Sequence, residues 1–415
     1  MTYPSSFQQI GISSSVLALF FTTVTFSAPS FRSPGNTLQN VAQQSVQLQA
    51  QDPAQGLVRQ AQDLIRARQF NEAVEVLRRA IQAQPNLAVA HVQLSIALMG
   101  IGQRDEAFSE AKRAIELDPN DAHGYVALGN IDSSMRRYSE AIRAYKQAVT
   151  LDPNYLSAYM NLGMAYGTTA RYPESAEAFQ QALRIDPNNV TALNGLGIAQ
   201  VHMGQREQGI QTVKQAVRVN PGFVDGHLNL ARWYHGSGRY EEAAAAYTQV
   251  TKIIPKWPQT YFERTQDYLY LGKYEAAASD ARMFLELTDW HSDRAQYMVI
   301  VATLSYRGAE KASDAKDMLD LAVKRSNSAL WPYPIITYLR GELAADALVA
   351  MAGNNNDRLT EAHGYIGMDQ LLKDQKDEAV SHFKWVTEHG NKSFVEYILA
   401  SIELSRIESG GLIKQ

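Results

Sequence analysis

The 415-residue chain has no cysteine. Disulfide staples, thiolate metal sites, cysteine nucleophiles and thioester lipid anchors are therefore excluded. It also lacks an excess of either charge, since 39 Lys and Arg face 43 Asp and Glu for a net charge of −4. Without a bulk basic field to displace counterions, nucleic-acid binding is not expected. No apolar run reaches the roughly 20 residues that cross a bilayer. Phosphate-loop, H-E-x-x-H, G-x-S-x-G and dinucleotide glycine patterns are missing too. What is present is 45% hydrophobic and 9% aromatic side chains, enough for a sizeable core.

The first thirty residues carry no charged side chain; the first is Arg32. A short apolar centre, Val16 to Phe21, precedes the small residues Ser27 and Ala28. This resembles a secretory signal peptide over residues 1–28. A cut after Ser27, with Thr25 upstream, suits such a site better than one after Ala28, which would use Phe26. The alternative is an uncleaved apolar anchor over residues 10–26, giving membrane association through the N-terminus. Residues 29–53 follow with linker composition, including Gln39, Gln43, Gln44, Gln47, Gln49 and Gln51.

Pro85, Pro119, Pro153, Pro187, Pro221 and Pro255 each lie 34 residues after the last. With Ala122 as position 1, one unit has Tyr125 at 4, Leu128-Gly129 at 7 and 8, and Ala141 at 20. Tyr145 then fills 24, Ala148 fills 27 and Pro153 fills 32. The next unit repeats this with Tyr159, Leu162-Gly163, Ser175, Phe179, Ala182 and Pro187. Small residues at 8, 20 and 27 let two helices approach, while the proline stops the second helix. An Asp before that proline, as in Asp118-Pro119-Asn120, is expected to satisfy amides of the next helix. A single hairpin cannot bury its own apolar face, so such units stack.

On these residues the chain beyond residue 53 resembles the tetratricopeptide repeat (TPR) family. The resemblance implies an all-α, right-handed superhelical solenoid of helix-turn-helix repeats, with an irregular C-terminal region and a capping helix. Seven units tile 54–291, with Asp289 replacing the proline of the seventh. A divergent unit and an irregular helical insert occupy 292–359, and a last unit with a C-terminal capping helix occupies 360–415. Aromatics recur at position 17 (Phe70, Tyr138, Tyr172, Tyr240, Tyr274) and are expected to pack under their own hairpins.

The C-terminal part carries a second pattern. Trp331-Pro332-Tyr333-Pro334 leads to Leu339-Arg340-Gly341-Glu342, then Glu361-Ala362-His363-Gly364-Tyr365-Ile366-Gly367, then Asn391-Lys392-Ser393-Phe394-Val395-Glu396-Tyr397. This order is similar to bacterial outer-membrane TPR lipoproteins that act as adaptors for periplasmic proteases and wall hydrolases. Those lipoproteins carry lipid on an N-terminal cysteine, which this chain lacks. His363, His382 and His389 form the nearest thing to a histidine cluster, read as packing or surface residues because metal ligation wants a further ligand at fixed spacing.

The TPR resemblance puts positions 2, 5, 9 and 12 of each first helix on the concave side. Over units two to six these include Val89, Val92, Ile96, Val126, Asn130, Met160, Met164, Asn194, Ile198, Leu228 and Arg232. The expected groove is mostly apolar and nearly uncharged as far as unit five. Asn130 and Asn161 match the two asparagines of the clamp that grips acidic chaperone tails. Val126, Thr191 and Gly195 stand where its basic residues belong, which argues against such tails. Asn161 and Asn229, both at position 6, resemble an asparagine ladder for an extended peptide. An exposed apolar strip wants a cover: a protein or peptide partner, a second copy in a homo-oligomer, or residues 36–52 folded back. The expectation is an exported, periplasmic, non-catalytic scaffold without cofactor or metal. A membrane-anchored, cytosol-facing assembly factor and an enzyme acting through the C-terminal region are the alternatives.

Overall fold

A computed structural model describes residues 53–409, so the leader, anchor and linker readings before residue 53 lie outside the described residues. The described residues hold twenty-one helices and no strand. Backbone contacts divide them into two compact units, 53–220 and 221–409.

The first unit is five helical hairpins. They are α1 (Pro53–Arg66) with α2 (Phe70–Ala83), α3 (Ala88–Gly100) with α4 (Arg104–Leu117), α5 (Ala122–Ser134) with α6 (Tyr138–Leu151), α7 (Leu156–Thr168) with α8 (Tyr172–Ile185), and α9 (Val190–His202) with α10 (Arg206–Val219). Ala61, Ala73 and Ala80 have no exposed surface. Gly129 shows why small residues stand there: a Cβ would lie 2.5 Å from the ring of Tyr145. Ser175 fills a small position by donating its hydroxyl to the Gly163 carbonyl at 2.7 Å.

Two local expectations are corrected. The aspartates before the prolines do not cap helices. Asp118, Asp152 and Asp186 instead accept from the amides of Asn120, Asn154 and Asn188 two residues on, closing a turn around the proline. Helix α5 is capped by Asp121 and α9 by Asn189. Nor do the position-17 aromatics stay under their own hairpins. Phe70 fills the space beside Gly100, where a Cβ would meet its ring at 2.5 Å. Tyr172 stacks on His202 with centroids 4.3 Å apart. At the starts of α2 and α8, the ring reaches the last turn of the following hairpin's first helix.

The second unit continues with α11 (Val224–His235) and α12 (Tyr240–Ile253), α13 (Pro258–Tyr270) and α14 (Tyr274–Leu287), then α15 (Ala295–Gly308) and α16 (Ala312–Arg325). Two short helices follow, α17 (Tyr333–Leu339) and α18 (Ala345–Ala352), then α19 (Asn356–Leu372), α20 (Lys376–His389) and α21 (Val395–Glu408). Its core includes the fully buried Ile300, Ile335, Ile336 and Phe383, each contributing about 2 kcal/mol by burial. Helix α21 does more than cap the last hairpin. It packs on α19 and α20 and also reaches α13, where Arg406 donates to the Tyr270 carbonyl.

This unit also buries charge. Arg264 holds Asp280 through two bonds at 2.7 and 2.8 Å, and also donates to Thr248 and Thr251. Arg307 of α15 pairs with the fully buried Asp369 of α19, which also accepts from Tyr338 at 2.9 Å.

Candidate functional site

Because each first helix repeats after 34 residues, one repeat position gives one row of side chains. In the unit of residues 53–220, position 9 gives Ile96, Asn130, Met164 and Ile198, all half-buried. Val89, at position 2, is 37% exposed. Position 5 is different. Val92, Val126 and Met160 are 2%, 7% and 7% exposed, as is Leu228 at 6% in the second unit. The expected open strip is corrected there. Val126 packs with Ala148 and Ala158, and Met160 with Phe179 and Leu196, so these side chains fill the layer between hairpins. Asn194, a polar residue at the same position, stays half-buried.

The asparagines are tied into this packing. The Asn130 side-chain Oδ1 accepts from Tyr145 Oη at 2.8 Å and from Asn161 Nδ2 at 2.9 Å. One partner lies on the second helix of the same hairpin and the other on the next hairpin. In the second unit, Asn229 is half-buried and the exposed Arg232 pairs with Glu263 at 3.3 Å.

A second concave feature lies wholly within residues 221–409 and was not singled out from sequence. A cavity of about 340 Å³ opens between α15, the Trp331 segment and the start of α19. Glu361 forms part of its lining and is only 2% exposed. It accepts from Tyr297 Oη at 3.1 and 3.3 Å and from Trp331 Nε1. Burial and the Glu361 charge push the Tyr297 hydroxyl well up. Beside Glu361 is Glu396, 1% exposed, with the Tyr365 hydroxyl against its carboxylate. Burial, reinforced by Glu361, raises its pKa.

The three C-terminal histidines do gather around one ring. His363 Nδ1 lies 2.7 Å from His382 Nδ1, and Trp385 stacks on His363 at 4.2 Å and faces His389 at 5.5 Å. A nitrogen pair that close fits one shared hydrogen bond. Among the described residues no group of three or more His, Asp or Glu stands together to hold a metal ion. Among them, too, no helix is long and apolar enough to cross a membrane.

Three tetratricopeptide repeat models match the sequence: one at residues 126–190, a second at 64–131 and 168–222, and a third at 227–259. Those stretches coincide with the hairpins just described. The repeats are tetratricopeptide repeats. Solved TPR structures are similar in fold. One is PilF of Pseudomonas aeruginosa, at 19% identity over 51% of this chain and 95% of that one, TM-score 0.44. Another is YrrB, described as a TPR protein with an unusual peptide-binding site, at 24% identity over 44% and 93%, TM-score 0.38. The C-terminal part of a TPR protein from Cytophaga hutchinsonii matches at 16% identity over 58% and 98%, TM-score 0.49. No curated protein matches the chain.

The TPR array is an all-α repeat scaffold of the protein-interaction kind. Of the groove residues expected from the family geometry, the structure leaves Val89, Ile96, Asn130, Asn161, Met164, Asn194, Ile198, Asn229 and Arg232 at least partly accessible. It buries Val92, Val126, Met160 and Leu228. The residues missed from sequence are Glu361 and Glu396. Both lay inside quoted motifs, but only the fold sets them side by side.

Proposed function

We propose that the protein is an exported, non-catalytic scaffold that holds polypeptide partners along the first-helix face of residues 53–220. The observation that carries this reading is the position-9 row. Ile96, Met164 and Ile198 keep apolar surface open one repeat apart, with the amides of Asn130 and Asn161 among them. Apolar anchors at a fixed spacing, with amides to satisfy a backbone, suit a helix or extended segment laid across the repeats. The apolar start of the chain supports export, and the order of the C-terminal motifs supports an adaptor role in the periplasm.

The test places a photo-cross-linking residue at 164 or 198 in the full chain, expressed in its native host. A control carries it at the exposed Gln180 on α8. Cross-links to a discrete protein from 164 and 198 only are expected; equal labelling from 180 rejects the face. N-terminal sequencing of the mature protein tests export: a start near residue 28 is expected, and an intact Met1 favours the anchored form.

A further inference from the structure

Helix α3 packs on α1, α2, α4 and α5 and buries one titratable ring, His91, at 6% exposure. The ring stands at position 4 of its repeat, and its Nε2 lies 3.0 Å from the Pro85 carbonyl in the turn after α2. The same position makes the same contact in two later repeats. His227 Nε2 lies 2.9 Å from the Pro221 carbonyl, and Tyr261 donates its hydroxyl to the Pro255 carbonyl at 2.9 Å. A side chain on each of these first helices thus holds the proline turn before it.

His91 differs from the other two through its second nitrogen. Nδ1 lies 2.5 Å from Glu110 Oε2 on α4. Glu110 fills position 23, where the repeat of His227 has Ala246. A carbonyl and a carboxylate only accept, so both ring nitrogens of His91 have to donate. A neutral imidazole has one N–H, and the two contacts together therefore call for an imidazolium. The surroundings agree. The bond to Glu110 raises the His91 pKa against the effect of burial, the Pro85 carbonyl adds to the rise, and Arg113, also on α4, opposes it. The other helices packed on α3 bring apolar side chains to the shared core, among them Ile65, Leu77 and Ala127.

We propose that His91 is a proton-operated clasp between the first two repeats. As an imidazolium it ties the turn after α2 to α4. Losing the Nε2 proton to solvent leaves a lone pair facing the Pro85 carbonyl, at a buried place where that bond is not readily replaced. Glu110 keeps the remaining proton on Nδ1. The folded ring holds its proton more tightly than the unfolded one at 6.5. The clasp therefore contributes fully below pH 6.5 and is lost as pH rises through the folded value. Helix α3 also presents Val89 and Ile96, so its loosening reaches the groove. That last step rests on the function proposed above, whereas the clasp does not.

Nuclear magnetic resonance of the full chain labelled with 15N-histidine tests the charge. The ring signal that disappears in His91→Tyr, a substitution that copies Tyr261, should show protons on both nitrogens at pH 6.5 and titrate above it. Glu110→Gln should bring that titration down, with helicity by circular dichroism retained. Hydrogen exchange of wild type, corrected for the intrinsic rate, tests the clasp. Amides of α3 should lose protection by up to about tenfold per pH unit above the folded pKa. Those of α11, where Ala246 replaces the carboxylate, should not. A ring with one proton at pH 6.5, a titration unchanged by Glu110→Gln, or matching pH profiles for α3 and α11 overturns the proposal. Neither readout involves a partner, so the cross-links from 164 and 198 are judged separately.

Discussion

Asn161 donates its side-chain amide to the side-chain Oδ1 of Asn130 at 2.9 Å, joining the first helices of two adjacent repeats. The same oxygen takes the hydroxyl of the buried Tyr145. The two asparagines that resemble a peptide clamp in sequence thus first hold one repeat to the next. Asn130→Ala should destabilise the protein by about 1–2 kcal/mol, because it strips partners from two donors in a packed layer. In a Tyr145→Phe background the same change should cost less, a coupling that urea denaturation of the four chains measures. Additive losses would show that the bond contributes nothing.

Every hairpin turn of the regular repeats needs one residue in the left-handed region. Glycine serves at 102, 204, 238 and 272, but Arg68, Arg136 and Ala170 adopt φ of 60°, 60° and 57°. A side chain there costs roughly 1 kcal/mol. Arg136→Gly and Ala170→Gly should each raise stability by up to about that amount, and Gly204→Ala should lower it similarly. Thermal melts of the three variants check the sign. A loss on Ala170→Gly would mean that backbone freedom in the unfolded chain outweighs the relief of strain.

The helical repeats could be read from sequence because each depends on spacing within one 34-residue unit. Small residues such as Ala61 and Gly129, and prolines such as Pro119, declare their roles locally. Which face of a first helix stays open could not be read the same way. Position 5 faces the neighbouring hairpin, so Val92 and Met160 vanish into the layer while Ile96 and Met164, four residues on, do not. The Glu361 cavity needs partners from three stretches, Tyr297, Trp331 and Glu396, and no periodicity links them. Gly364 was the local signal: a glycine in the interior of α19 marks a close approach, but not by what.

Arg264 and Asp280 form a buried, two-pronged ion pair on α13 and α14. Burial raises the Asp280 pKa and the guanidinium opposes it. Removing one partner leaves the other charged and dry, which typically costs 3 kcal/mol or more. Arg264→Met should therefore destabilise the 221–409 unit by about 3 kcal/mol, and adding Asp280→Leu should recover part of the loss. Denaturation of both variants checks this. A double variant no more stable than Arg264→Met would show that the bonds to Thr248 and Thr251, rather than the pair, hold the helices together.

The His363–His382 contact makes stability depend on acidity. Burial, together with His382 and His389, holds the His363 pKa down from 6.5 to about 4, and burial lowers that of His382 against the pull of Asp346. The stacked Trp385 completes the surroundings. Below pH 6.5 the unfolded chain takes up the His363 proton while the folded chain still refuses it. The unfolded state then binds more protons, and stability falls with pH until about 4, where the folded protein also becomes protonated. This contribution is complete above pH 6.5 and is spent by pH 4. His363→Gln removes the titrating group and keeps a polar side chain, so its melting temperature should fall less steeply than that of wild type across this window. Taking the difference between the two chains cancels the carboxylates that titrate in the same range. Parallel slopes would mean that the two rings separate and accept protons in the folded state, and that the short nitrogen–nitrogen contact does not hold α19 to α20.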